Sequence, residues 1–494
     1  MEFIVKVIKS TAKYFFYHSE LCQRRLIYSY LDQSVTKLQL STMERRVTFY
    51  AKEQLKADSF YNLFSPEETE ITISESKDVP ISIQYRLTFP KELYPPLESI
   101  VERVASLRIT YRNEELAGES ENMFCGHLAS GFNAYFVPLT MDQNEIWSIA
   151  DKIGSQFGAQ GDEFIVTPFS VNYHKKRIDN YDLLPLLDLL RKLKIEEVHG
   201  LDIQLVDSKV FVDVSYPLKS TMNIKEEDGI QTEVAILHLD EKLSNIENYA
   251  LKGVRFQYPA VEGPPGKGLE TLFQVIPRHR FLPDEISFKG TLEHVGMHPK
   301  LKLSGLENVK PPFIQEGESL CRLFYYTPLS KHSFIDRYMI QDQSENVNLV
   351  AGFGEMNLEK PEWAVKKWGS EYLMEILNYK EGEALIPLHL RYGDVAKDTQ
   401  YSEIDFELGD LFYACDSIDI QEQAVLERNV FQKRSLGYER YFDNKTLFYH
   451  AKGHWQNNSD VYEVPIGDST YAKHIDIATL SLVGLGAIYL ISCL

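Results

Sequence analysis

Much of the chain alternates apolar and polar residues with a period of two. "ISIQYRLTF" (81–89) and "SLRITYRN" (106–113) follow that period and are rich in β-branched and aromatic side chains, which predicts half-buried strands. "LDIQLVDSKVFVDVSY" (201–216) reads as two strands around a tight turn at Asp207-Ser208. "TEVAILHLDEK" and "GVRFQYPAV" continue the pattern at short spacing, and "SEYLMEILNY" and "EALIPLHLRY" flank a turn containing Gly382 and predict a hairpin. Helical periodicity is rarer. Residues 142–157 place Ile146, Ile149, Ile153 and Phe157 on one face, and a Leu-rich run over 181–198 begins with Asp182 as N-cap and Pro185 in a tolerable position. The expected fold is mainly β with a few helices, β-sandwich-like, divided near residue 198.

The last stretch departs from this pattern. "IATLSLVGLGAIYLISCL" (477–494) carries no charge, and as a helix it would rise about 27 Å, close to the hydrocarbon thickness of a bilayer. A soluble core helix would show a polar stripe. Here the polar side chains are Thr479, Ser481 and Ser492, and Gly484 and Gly486 are of a type common in membrane helices. The expected organisation is an N-terminal α+β region (1–198), a β-rich domain (199–425), a polar stalk (426–474) with the aromatic cluster "GYERYF", and a transmembrane helix (475–494).

Composition narrows the function. The net charge of -20 argues against a nucleic-acid binder, and an anionic lipid surface would repel most of the chain. None of the five cysteines has zinc-site spacing. Lys6 and Lys9 interrupt the apolar residues at the N-terminus, so no cleaved signal is recognisable there. The C-terminal segment therefore fits a tail anchor, the single span of a lumenal protein, or a GPI-attachment signal after Gly467-Asp468-Ser469. Asn444 and Asn457 head glycosylation sequons, a pattern too short to fix the compartment alone.

Catalytic patterns are weak. "GPPGKG" (263–268) has Val261 where a phosphate loop needs glycine, and Gly268 where it needs Ser or Thr. The pairs His294/His298 and His450/His454 have metal-site spacing only on a helix, which Gly296, Pro299 and Gly453 oppose. There is no GxSxG elbow and no DxD pattern. From the residues alone, the chain is a membrane-anchored β-rich binding or assembly module.

A set of ordered blocks extends this reading: "GMHPKLKL" (296–303), "CRLFYYTPLSKHSFIDRYMI" (321–340), "GFGEMNLEKPEWAVKKWGSEYLMEIL" (352–377), "IPLHLRYGDV" (386–395), "DLFYACDS" (410–417) and "SLGYERYF" (435–442), followed by the terminal apolar helix. Together they resemble the PIG-X family, in particular its longer fungal, protease-B-nonderepressible type. The resemblance covers about residues 288–494, with a looser match before about 200. It implies an endoplasmic reticulum membrane protein with a lumenal ectodomain and one C-terminal span. Such a protein is a non-catalytic partner that stabilises the multi-span catalytic subunit of GPI mannosyltransferase I, with no cofactor of its own. A general lumenal chaperone or folding factor is the alternative. The resemblance further implies lumenal glycosylation at Asn444 and Asn457 and a disulfide between Cys321 and Cys415. His298, Pro299, Asp336, Trp368, Gly369, Arg391 and Tyr392, which stand in the family blocks, are expected to shape the ectodomain.

Overall fold

The computed structural model describes residues 43–51, 62–74, 81–90, 100, 102–112, 130–155, 158–176, 199–206, 208–240, 242–244, 249–260, 264–275, 277–283, 285–293, 296–312, 321–343, 346–416, 437–443, 446–456 and 460–493. The chain divides into two compact units, Met1–Phe281 with Tyr413–His450, and Leu282–Phe412 with Ala451–Leu494. As the alternation implies, it is mainly β with few helices and an apolar helix at the C-terminus.

The first unit contains an eleven-stranded sheet. In spatial order its strands are Leu269–Val275, Tyr249–Tyr258, Ile230–Leu239, Met43–Ala51, Ser82–Pro90, Lys209–Pro217, Gly200–Val206, Val104–Arg112, Gly131–Pro138, Val171–Lys175 and Ile165–Val166. The predicted tight hairpin forms between Gly200–Val206 and Lys209–Pro217, with Ser208 at φ 66° in the left-handed region such a turn needs. That hairpin lies between Ser82–Pro90 and Val104–Arg112, so the expected boundary near residue 198 is incorrect. Alternation identifies a strand but not its partner, and here the partners are about a hundred residues away.

The centre of this sheet buries an ionic row. Asp213 and Asp202 face one another on adjacent strands, Arg86 lies 2.7 Å from Asp213, and Arg108 lies 3.1 Å from Asp202. The side-chain amides of Gln84 and Gln204 also donate to these carboxylates. Two adjacent buried carboxylates are tolerable because each has its own guanidinium and further donors.

Helix α1 (Gln143–Gly154) matches the predicted amphipathic segment. Asp142 caps it by accepting from the Glu145 N–H, and Ile146, Ile149 and Ile153 are buried. Phe157 and the Leu-rich run 181–198 lie outside the described residues.

In the second unit, Cys321–Ser330 and Val347–Gly354 pair antiparallel with the two edges of Gly369–Ile376. Lys300–Ser304 pairs with Ser287–Glu293 on one side and Glu383–Pro387 on the other. The expected hairpin between 370–379 and 383–392 is therefore incorrect. Gly382, at φ 85° after the 3-10 turn Tyr379–Glu381, redirects the chain, and Ile386 and Ala384 instead face the buried Leu301 and Leu303.

The polar stalk is also corrected. Within 426–474, Thr446–Trp455 and Val461–Pro465 are strands. Phe448–His450 pair in parallel with His279–Phe281, Lys452–Trp455 with Ser287–Gly290, and Val461–Pro465 antiparallel with Tyr401–Asp405. Leu447, Phe448 and Tyr449 are buried, so a segment polar on average carries a core strand. Helix α2 spans Arg337–Gln343, and helix α3 spans Ala472–Cys493, slightly ahead of the predicted start at 475. Within the 25-residue segment Ser469–Cys493, an 18-residue window has a mean hydropathy of 1.8, so the segment is long and apolar enough to cross a membrane.

Candidate functional site

The short strand His389–Leu390 pairs with Ser333–Phe334 and carries Arg391 into the interior of the second unit. The guanidinium lies over the Phe334 ring, 4.2 Å from its centroid. Nη1 donates to the carbonyls of Asn357 (2.5 Å) and Lys360 (2.7 Å), and Nη2 donates to that of Glu355 (3.0 Å). The Arg391 backbone N–H donates to the His332 carbonyl at 2.8 Å. Only 3% of the residue is exposed. Burial draws its pKa down, with the Glu355 charge opposing. One rigid fork of donors thus gathers the main chain of the 355–360 loop, which a flexible ammonium could not do in the same way.

Other motif residues surround this clamp. His389 stacks on Phe334 at 5.2 Å, and His298 meets His389 edge-on at 4.5 Å. Burial pushes the His389 pKa down, the His298 and Arg391 charges add to that, and Asp336 opposes it. Asp336 immediately precedes α2, with its carboxylate accepting from the Tyr338 N–H at 2.9 Å. The Ile335 N–H donates to the Tyr372 hydroxyl at 2.9 Å, and burial pushes that phenol up to about 12. Pro299 accepts from the Leu388 N–H, and Gly369 accepts from the Glu355 N–H at 3.1 Å. A Cβ at Gly369 would stand 2.0 Å from the Leu329 carbonyl oxygen, so glycine is needed for the close strand approach.

The structure therefore brings His298, Asp336 and Arg391 together around Phe334 and His389, with Pro299 and Gly369 fixing adjacent backbone. Trp368 is buried at the start of Gly369–Ile376, and Tyr392 is exposed. Residue-level reading missed Phe334, His389, Glu355 and Glu362, although all lie in the quoted blocks. Glu362 meets His332 at 2.8 Å and Lys331 at 3.2 Å. Its burial favours a raised pKa, but hydrogen bonds and charge from His332 and Lys331 prevail and hold it below the usual carboxylate range.

The chain beyond Arg391 meets the segment that leads into the C-terminal helix. Ala396 bridges to Asp468, its N–H donating to the Gly467 carbonyl (3.1 Å) and its carbonyl accepting from the Ser469 N–H (2.8 Å). Asp468 in turn caps the turn leading into α3 by accepting from the Thr470 N–H.

A second buried polar cluster lies in the first unit. Glu439, in "GYERYF", meets Arg278 at 3.3 Å and His279 at 2.8 Å, and His279 Nδ1 lies 2.9 Å from His450 Nε2. His279 also stacks on Phe448. His450 is thus an interior histidine on a strand. Among the described residues, no three His, Cys, Asp or Glu side chains are grouped to hold a metal. Cys321 and Cys415 are both buried. Asn444 and Asn457 lie outside the described residues.

Comparison with known proteins bears on the same region. Residues 294–494 match the family model described as PIG-X / PBN1. The chain is 25% identical over 373 residues to Protein PBN1 of Debaryomyces hansenii, covering 72% of this chain and 78% of the relative. It is 26% identical over 422 residues to Protein PBN1 of Candida albicans, covering 79% and 84%. With Protein pbn1 of Neurospora crassa the identity is 32% over 270 residues, covering 52% and 51%. The share matched in the Candida relative exceeds what residues 200–494 could supply, so similarity reaches into the N-terminal region. The matched domain, residues 294–494, contains the whole Arg391 clamp and the C-terminal helix, so over this part the chain is similar to PIG-X / PBN1 proteins.

Proposed function

We propose that the chain is a non-catalytic, single-pass subunit of the endoplasmic reticulum membrane that stabilises the catalytic subunit of GPI mannosyltransferase I. In this role it supports addition of the first mannose to the GPI-anchor precursor. The match of residues 294–494 to the PIG-X / PBN1 family model, and the similarity to fungal PBN1 proteins, support a role in GPI-anchor biosynthesis. The observation that carries the finer reading is that the segment following the family-motif clamp is bonded, through Ala396, to Gly467 and Ser469 at the entry to an apolar helix. Such an element can hold an ectodomain at a fixed place beside a multi-span partner. The clamp donors are directed at main-chain carbonyls, an arrangement suited to shaping a surface rather than to moving a proton. In this reading the ectodomain is lumenal, α3 is the anchor, and Cys321 and Cys415 form one bridge.

The test is depletion of the chain in cells, followed by measurement of the catalytic subunit and of GPI precursors. The expected result is a reduced catalytic subunit and accumulation of unmannosylated precursor. Normal precursor processing after depletion would overturn the proposal. Co-purification of the two chains in mild detergent supplies the physical counterpart.

A further inference from the structure

We infer that the second unit rests on the membrane it is anchored in, through an aromatic face at the base of α3. Trp363, Tyr392, Val395 and Tyr471 are 69%, 68%, 67% and 58% exposed, although each stands on or beside ordered backbone. They are distant in sequence but are tied together by main-chain bonds. The Glu362 N–H, next to Trp363, donates to the Tyr392 carbonyl at 3.0 Å. A Cβ at Gly393 would lie 3.1 Å from Ile466 Cγ2 and 3.4 Å from Glu362 Oε2. A Cβ at Gly467 would lie 2.9 Å from the Val395 side chain. Ala396 pairs with Asp468, and Tyr471 immediately precedes α3.

Tryptophan and tyrosine at the end of an apolar helix are the side chains that concentrate where hydrocarbon meets headgroups, because an apolar ring and a polar tip suit the two phases. The platform is rigid: Glu362 is held by His332 and Lys331, and Arg391 fastens the preceding loop. Little side-chain or loop entropy is then lost on contact.

Local charge selects the kind of surface. Around the helix entry, Asp394, Asp398, Asp468 and Asp476 outnumber Lys397 and Lys473, so a strongly anionic surface would not be favoured. The occupant is a zwitterionic phospholipid interface, reached by ring insertion rather than by charge. The inference rests on α3 being a membrane span.

The experiment uses the full chain reconstituted in phosphatidylcholine nanodiscs, with and without bromine on the acyl chains near the headgroup. Brominated lipid should quench tryptophan emission, and Trp363→Phe should remove most of that quenching while thermal unfolding stays unchanged. Tyr392→Ser with Val395→Ser should reduce quenching at Trp363, and salt should change it little. Resistance to alkaline carbonate extraction reports insertion of α3 separately. If the chain resists extraction but Trp363→Phe leaves quenching unaltered, the face does not meet lipid and the inference is overturned in favour of a protein partner. If carbonate releases the chain, the span reading fails and the inference fails with it.

Discussion

Arg391 lies 4.2 Å over Phe334 while its guanidinium nitrogens donate to three main-chain carbonyls, so a single side chain joins the 333–334 strand to the 355–360 loop. Replacing it with lysine keeps the charge but cannot reproduce the planar fork or the stacking. Arg391→Lys should destabilise the chain by about 2–3 kcal/mol, the scale of a lost charged hydrogen bond plus unsatisfied buried carbonyls. Denaturant unfolding of the detergent-solubilised chain checks this. A midpoint equal to the parent's would mean that the clamp bonds add nothing net.

Gly369 and Gly484 give contrasting outcomes for the same substitution. At Gly369 an added Cβ meets the Leu329 carbonyl oxygen at 2.0 Å, and both partners are backbone of paired strands. Gly369→Ala should therefore cost about 1–3 kcal/mol through forced strand separation. At Gly484, in α3, nothing lies within 4 Å, and Gly484→Ala should leave the ectodomain's unfolding midpoint in place. Equal midpoints for the two variants would refute the close approach at Gly369.

These residues also show how far local reading reaches. The helix at Ile146, Ile149 and Ile153, the turn at Ser208 and the apolar C-terminal segment were all legible, because each is decided within one turn or one period. The partnership of Glu383–Pro387 with Lys300–Ser304 was not, because alternation marks a strand's buried side without naming its neighbour. Thr446–Trp455 was hidden for another reason: polar residues on both sides in the sequence lowered the average of a stretch containing Leu447, Phe448 and Tyr449. At the site, Arg391 and His298 stood out as members of family blocks. Their convergence on Phe334 and His389 depends on a two-residue strand pair that no periodicity can reveal.

His389 should make stability depend on pH. Burial, helped by the charges of His298 and Arg391 and opposed by Asp336, holds its folded pKa below the ordinary value of about 6.5. Unfolding then takes up a proton in the window just under that value. Its contribution is present above about pH 6.5 and is lost as pH falls through the folded pKa. His238 in the first unit shifts the same way through burial, so the informative quantity is a difference between variants. Between about pH 7.5 and pH 5.5 the parent should lose more stability than His389→Gln, measured by denaturant midpoints. Parallel pH profiles would exclude His389 as a source.

The proposed Cys321–Cys415 bridge would close a loop of about a hundred residues, worth about 4–5 kcal/mol in the chain-entropy description. Non-reducing peptide mapping of the purified chain should recover the two cysteines in one linked pair. Cys321→Ser should then lower the unfolding midpoint and free Cys415 for alkylation. Recovery of either cysteine linked to Cys22 or Cys125 would sink the assignment.

A lumenal ectodomain predicts carbohydrate at Asn444 and Asn457, with different occupancy at the two sites. The threonine of the first sequon, Thr446, is buried at the start of Thr446–Trp455, and its N–H donates to the Asp443 carbonyl. A glycosyltransferase must reach that hydroxyl in an extended segment, so Asn444 can be modified only before the strand docks. The second sequon falls in sequence between the strands Thr446–Trp455 and Val461–Pro465. Endoglycosidase treatment should increase gel mobility, Asn457→Gln should remove the larger share of the shift, and Asn444→Gln the smaller. Slowing glycan transfer relative to folding should reduce occupancy at Asn444 first. A chain whose mobility is unaffected by endoglycosidase, with both asparagines intact, would count against the lumenal orientation.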